Sequence, residues 1–401
     1  MSEVAITNVI LSLFVLLGVS VIFGEIFERI KLDAVVGYLI AGLVLGPSLL
    51  NWISPHAIED FAIIGAILIL FLAGLKEQDA SSLYKNKKAM FLGIGVLVIT
   101  FLVIFAFLMS PLMPWLSGKE YTFLQVLFIA LAFAVVDLGV PAKILLSKKL
   151  LNTEFGQTVL NGAVINVIAG LTMLTVLTLF FSPEFSTIAY KLLGVLAFIG
   201  LFLVLFFLVS RLGRYMVLLE SEEVQFTLTF VLILVLAFLT ETLGFSNILG
   251  AFLAGIVISR AHFATSKSFM DKFKAVSMGL FIPLFFAWFG LELQLWGEMG
   301  IIANFGVALI FLALSLIPKF VVTYFICKAN KIKAPALVGS TMLSLDVETL
   351  IILLLAVEIG VFPNNEILSI FAPTVLITTI LVSVLVIVFM KVEKKDLEKS
   401  R

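Results

Sequence analysis

The chain has 401 residues, 62% of them hydrophobic and 13% charged, with 26 basic and 26 acidic side chains and a mean hydropathy of +1.22. Globular domains run near 45–50% apolar and about 25% charged, so this composition excludes a soluble fold and requires a bilayer as solvent. At about 20 residues per crossing, the apolar positions, about 249 at 62% of 401, supply a dozen or so helices and leave little for a soluble domain.

Apolar stretches bounded by charge, Gly, Pro or Asn give thirteen candidate spans, at roughly 4–28, 34–50, 58–75, 89–110, 122–146, 156–181, 187–209, 224–241, 246–259, 273–291, 301–327, 335–360 and 366–390. The spans at 34–50 and 246–259 are short for a perpendicular crossing. With the C-terminus inside, 22 of the 26 basic residues fall on inner connections; Lys119 and Lys191 lie outside, and Lys143 and Lys319 lie within spans. Cytoplasmic loops carry such an excess, which predicts an odd number of crossings with the N-terminus outside. No basic face stands free for nucleic acid, and Cys327, the single cysteine, excludes an internal disulfide. With only His56 and His262, both in loops, a histidine-built metal site is not expected, and neither is a cofactor. Residues 1–8 carry no basic residue ahead of the first apolar run, so no cleavable signal peptide is expected, and the tail at 391–401 is too short for a cytosolic domain.

Charges inside the spans carry the functional signal, because an ionised side chain at mid-bilayer costs about 2.5–3.5 kcal/mol and needs a partner, a wet cavity or a role. Asp137 lies in FAVVDLGVPAK near the midplane of the fifth span, and Gly139 and Pro141 follow it. Pro141 removes a donor and clashes with the carbonyl four residues back, so a helix break is expected at Asp137 itself. The twelfth span repeats the pattern in MLSLDVETLIILLL, with Asp346 at similar depth and Glu348 two residues on. Asn166, in VLNGAVINVIAGL, and Lys319, after Pro318, fall in the same slab. Irregular backbone is tolerated at that depth only where protein or a cavity surrounds it, and broken helices in two chain halves point to an inverted-repeat transporter with a midplane site. Each residue also has a plainer reading: Asp137 as a half-helix cap, Lys319 as a fixed counter-charge, Asn166 as an interhelical bridge, Glu348 as cavity wall. Glu241 and Glu358 read as interfacial, Lys143 as snorkelling, and the GLVLG stretch from Gly42 to Gly46 as a common apolar-helix pattern of little weight.

These segments resemble the cation:proton antiporter superfamily, in particular its bacterial sodium/hydrogen and potassium/hydrogen exchanger branch. DAVVGYLIAGLVLGPSLL is similar to the family's second span, ILILFLAGL to its third, and LLNTEFGQTVLNGAVINVIAGL to its loop and ion-site helix; GFSNILGAFLAGIVIS, GLFIPLFFAWFGLEL and the Lys319 segment follow in order. The resemblance implies thirteen helices in inverted repeats, with the fifth and twelfth broken and crossing at the site. It implies a homodimer in the inner membrane of a prokaryote, a scaffold at 1–75 and 224–291, an ion-transport core at 89–182 and 299–390, and a linker helix at 187–209. The chain departs from the pattern in one respect that matters. Where the family carries Asp-Asp or Asn-Asp in the sixth span, Asn166 is followed by Val167; Asp137 stands in place of a small hydroxyl residue, and Leu345, Asp346 and Val347 replace an Arg-Gly-Glu.

The resulting expectation is a secondary transporter, not an enzyme, exchanging Na+ or K+ for protons at a site of Asp137, Asn166, Asp346 and Glu348, with Lys319 as a competing or structural charge. Two carboxylates in one low-dielectric pocket cannot both ionise cheaply, so one proton is retained until a cation displaces it. Proton-coupled uptake of an anion or small solute stays open, as does a non-transporting sensor or accessory subunit. An aspartyl intramembrane protease is disfavoured, because neither Asp137 nor Asp346 stands in that group's Tyr-Asp or Gly-x-Gly-Asp motif.

Overall fold

The computed structural model describes residues 3–30, 34–75, 86–136, 145, 153–181, 200, 221–242, 247–259, 267–298, 300–345 and 347–393. Every regular element among them is helical: α1 (Glu3–Arg29), α2 (Ala34–Leu45), α3 (Glu59–Leu75), α4 (Lys87–Leu108), α5 (Leu112–Ser117), α6 (Phe123–Ala134), α7 (Glu154–Phe181) and α8 (Glu222–Thr242). There follow α9 (Asn247–Ile258), α10 (Lys267–Val276), α11 (Ile282–Glu292), α12 (Phe305–Ala329), α13 (Pro335–Thr341), α14 (Val347–Glu358) and α15 (Glu366–Val392). Among the described residues, Val9–Arg29, Lys87–Leu108, Glu154–Thr178, Glu223–Thr240, Phe269–Glu292 and Phe305–Ala329 are each long and apolar enough to cross a bilayer. The chain is a multi-pass integral membrane protein. Its exposed face fits that solvent, since Phe14, Phe91, Phe238 and Phe325 point outward from long helices where water would reject them.

Two compact units divide the chain: Met1–Gln78 with Thr175–Glu292, and Asp79–Leu174 with Leu293–Arg401. In the first, α3 packs on α9 and α11, α2 on α1 and α11, and α8 on α9. The two 12-residue helices α2 and α9 match the short spans expected from sequence, at about 18 Å each. The last carbonyls of α2 are satisfied by the loop that folds back on it, with Leu50 N–H donating to Val44 O at 3.0 Å and Ile53 N–H to Leu45 O at 3.1 Å. The GLVLG stretch has more consequence than its sequence suggests. A Cβ on Gly42 would collide with Ala287 O, and one on Gly290 with Leu39 O, so α2 and α11 meet backbone to backbone. Elsewhere in this unit Phe71, Phe226, Phe269 and Phe273 pack together, with centroids 5.2, 4.5 and 4.9 Å from that of Phe273.

In the second unit α12 packs on α4, α13 and α15, while α6 packs on α4 and α14. Its core holds the fully buried Phe133, Phe311 and Phe371, whose ring centroids lie 4.5 to 5.5 Å apart. Two expected spans are not continuous helices. In place of 335–360 stand α13 and α14, separated by residues outside helix, and α6 ends at Ala134 where a span to 146 is read from the sequence. The linker at 187–209 lies outside the described residues, apart from Gly200, as do Lys143 and Lys191.

Candidate functional site

The site is built around the open end of α6. This half-helix begins with a capping box: Thr122 Oγ1 accepts from Gln125 N–H at 3.3 Å, and Gln125 Oε1 accepts from Thr122 N–H at 2.9 Å. Its apolar run carries it to Ala134, and there it stops, because Val135 turns extended at φ −69° and ψ 144°. The proline argument places the break at Asp137; the structure begins it two residues earlier, at Val135. Helix ends leave four carbonyls without partners, and in a membrane those must be met inside the protein.

Side chains from three other helices meet them. Thr349 Oγ1 of α14 donates to Ala132 O at 3.0 Å, Asn166 Nδ2 of α7 donates to Ala134 O at 3.4 Å, and Lys319 Nζ of α12 donates to Val135 O at 2.8 Å. The first amide past the helix, Val136 N–H, donates to Asn166 Oδ1 at 2.9 Å, and Asn166 Nδ2 also reaches Gly93 O of α4 at 3.3 Å. Asn166 and Lys319 are both fully buried. Close approach makes this possible: a Cβ on Gly170, one turn beyond Asn166, would collide with the Val135 side chain. The ammonium of Lys319 thus lies against the negative pole of a half-helix, the position where a cation is favoured.

The second break follows α13. Residues 342–345 leave the helix while staying buried, and the hydroxyls of Ser340, Thr341 and Ser344 bond back to Ala336 O, Val338 O and Thr341 O. Glu348 is the second residue of α14, and its neighbour Thr349 makes the bond to α6. Of the residues singled out from sequence, Asn166 and Lys319 converge on one backbone turn. Asp137, Gly139, Pro141 and Asp346 lie outside the described residues, as do the side chains of Glu348, Glu241 and Glu358. Thr349 was missed because a helical threonine carries no signal of its own; its position one residue past Glu348 was the available clue. No cluster of three or more His, Cys, Asp or Glu groups placed to hold a metal occurs among the described residues.

Comparison with known proteins places this geometry in context. The model of a family described as "Sodium/hydrogen exchanger, transmembrane" matches residues 12–392. The chain is 28% identical over 373 residues to the Na(+)/H(+) antiporter of Enterococcus hirae, covering 88% of this chain and 91% of that one. It is 29% identical over 307 residues to YjbQ of Bacillus subtilis (strain 168), covering 71% of this chain and 48% of that relative, so it spans about half of the longer protein. The structure of the sodium proton antiporter MjNhaP1 from Methanocaldococcus jannaschii shares the fold, at a TM-score of 0.71 and 18% identity, covering 96% of this chain and 99% of that one.

Proposed function

The chain belongs to the transmembrane sodium/hydrogen exchanger family, and on that premise we propose that it exchanges a monovalent cation, Na+ or K+, for protons by alternating access. One observation carries the assignment of the site: Asn166 and Lys319, from separate helices, end on the same unwound turn of α6, at residues 134–136. Asp137 is the next residue along the chain, and Asp346 follows Leu345 at the end of the second break. In this reading Asp137 and Asp346 face a shared wet chamber and hold one proton between them, because two adjacent carboxylates in a low-dielectric site do not both ionise cheaply. A cation displaces that proton. Carboxylate oxygens and freed backbone carbonyls hold it, Glu348 lines the chamber, and Asn166 Oδ1, which accepts one hydrogen bond, retains a second lone pair. Lys319 competes as a positive charge at the negative end of α6. Proton and cation exclude one another at a single site, and the empty, charged form does not cross, so exchange is obligatory.

The same reading extends to thirteen spans with the N-terminus outside and the C-terminus inside, a homodimer in a prokaryotic inner membrane, a scaffold at 1–75 and 224–291, and a mobile core at 89–182 and 299–390. The bias of lysine and arginine and the family membership support it. Proteoliposomes containing an internal pH dye test it, with pulses of sodium, lithium and potassium applied to the parent chain and to Asp137→Asn and Asp346→Asn. Cation-evoked pH change that either substitution abolishes is the expected result. Full activity in both variants refutes the site, and no response to any cation in the parent refutes exchange in favour of solute transport or a sensor.

A further inference from the structure

The half-helices α6 and α13 are each tied, at the end away from their break, to opposite ends of α15. At one end Lys119, three residues ahead of the Thr122 cap, pairs with Glu366, the first residue of α15; Gln125 Nε2 adds a bond to Val361 O at 3.1 Å in the connection leading to α15. At the other end α13 starts with Ala334 and Pro335, which offer no capping side chain and, at the proline, no amide. The two amides left over donate to one carboxylate from 56 and 57 residues away: Ala336 N–H to Glu393 Oε1 at 3.2 Å and Leu337 N–H to Glu393 Oε2 at 2.8 Å. Val338 N–H already bonds Ala334 O at 3.0 Å, so Glu393 completes the helix start. Glu366 and Glu393 thus bracket a 27-residue helix of about 40 Å, longer than the roughly 30 Å hydrocarbon core, which leaves both carboxylates at the membrane surfaces where charge is cheap.

We infer that α15 acts as a calliper: Glu366 and Glu393 are positioning residues that fix α6 and α13 at their outer ends, and so set the separation of the two breaks at the site. The inference rests on the reading of those breaks as the transport site, but its first test does not depend on transport. Hydrogen exchange is measured on the full-length protein in nanodiscs, for the parent, Glu393→Ala and Glu393→Gln. Loss of a cap speeds opening by about 2- to 30-fold. Exchange in Glu393→Ala is expected to accelerate in that range at residues 336–337 and to carry through to 342–345, with Glu393→Gln, which keeps one acceptor oxygen, in between and available where the alanine variant does not fold. Acceleration confined to 336–337, or none, overturns the calliper and leaves a local cap. At the other end, Lys119→Glu and Glu366→Lys singly, and the pair together, are assayed by the pH-dye method: the apparent KM for the cation is expected to rise several-fold in each single variant with kcat within about twofold, and to return in the double variant. An unchanged KM in the single variants overturns the proposal. A parent chain without cation-driven flux refutes the exchange reading alone, and the exchange rates at 342–345 still decide the calliper.

Discussion

Replacing Asn166 with alanine tests the architecture of the site directly. The substitution strands Val136 N–H, whose 2.9 Å bond to Oδ1 is its route to satisfaction, and takes the Nδ2 donor from Ala134 O and Gly93 O, bonded at 3.4 and 3.3 Å. A buried N–H left without a partner costs about 1–3 kcal/mol, and the two long bonds add about 0.5 kcal/mol each, so the loss is about 2–4 kcal/mol. At about 2–4 °C per kcal/mol for a unit of this size, thermal unfolding in detergent shifts down by about 4–16 °C. Asn166→Asp retains the acceptor for Val136 N–H but sets a second oxygen against Ala134 O and Gly93 O in a buried place, so it too melts below the parent. Cation-driven proton flux in the alanine variant is lost more completely than its fold, because the turn that leads into Asp137 is released. An Asn166→Ala protein that melts within about 2 °C of the parent and exchanges its residue 136 amide no faster refutes the reasoning.

Four further outcomes are expected. Lys319→Met removes the ammonium that bonds Val135 O; in flux assays it lowers the apparent KM for the cation, and a raised KM contradicts its role as competitor. Phe371→Ala removes the ring stacked on Phe133 at 4.5 Å and destabilises by about 3–5 kcal/mol in denaturant titration. Gly290→Val drives a side chain into Leu39 O and prevents accumulation of folded protein, measured by gel-filtration yield. Tyr121, just ahead of α6, buries a hydroxyl that finds no partner among the described residues, and burial, then the Glu366 carboxylate, raises its pKa above the ordinary 10.0. Since the folded state holds this proton more tightly, its contribution is complete below pH 10 and is lost as pH rises beyond; Tyr121→Phe should therefore be more stable by about 1 kcal/mol at neutral pH and decline less in alkali.

Much of the molecule is legible in its sequence because lipid imposes a simple rule on long apolar segments. The short spans at α2 and α9 and the buried positions of Asn166 and Lys319 follow from counting apolar residues and asking which polar ones break the run. The position of the break in α6 does not follow. Proline sterics act on the carbonyl four residues back, at Asp137, but the helix gives way at Val135, where three side chains from α7, α12 and α14 offer the backbone alternative partners. Those partners come from residues 30 to 217 positions away, and no local pattern reports them. Glu393 was illegible for the same reason: at the end of a span it reads as an ordinary solvated acid, and only the fold reveals that Pro335 and Ala334 leave α13 in need of it. The weight of Gly42 was also hidden, because small residues spaced by four recur in many apolar helices and only the partner surface distinguishes a seam from a coincidence.

That seam has a mechanical corollary. Where α2 and α11 touch through Gly42 and Gly290, main chain rests on main chain, and no rotatable group lies between them to absorb a load. A junction of that kind behaves as a weld, not a bearing: the two rods turn together or not at all. Any flexing within that body must come from joints cushioned by longer side chains.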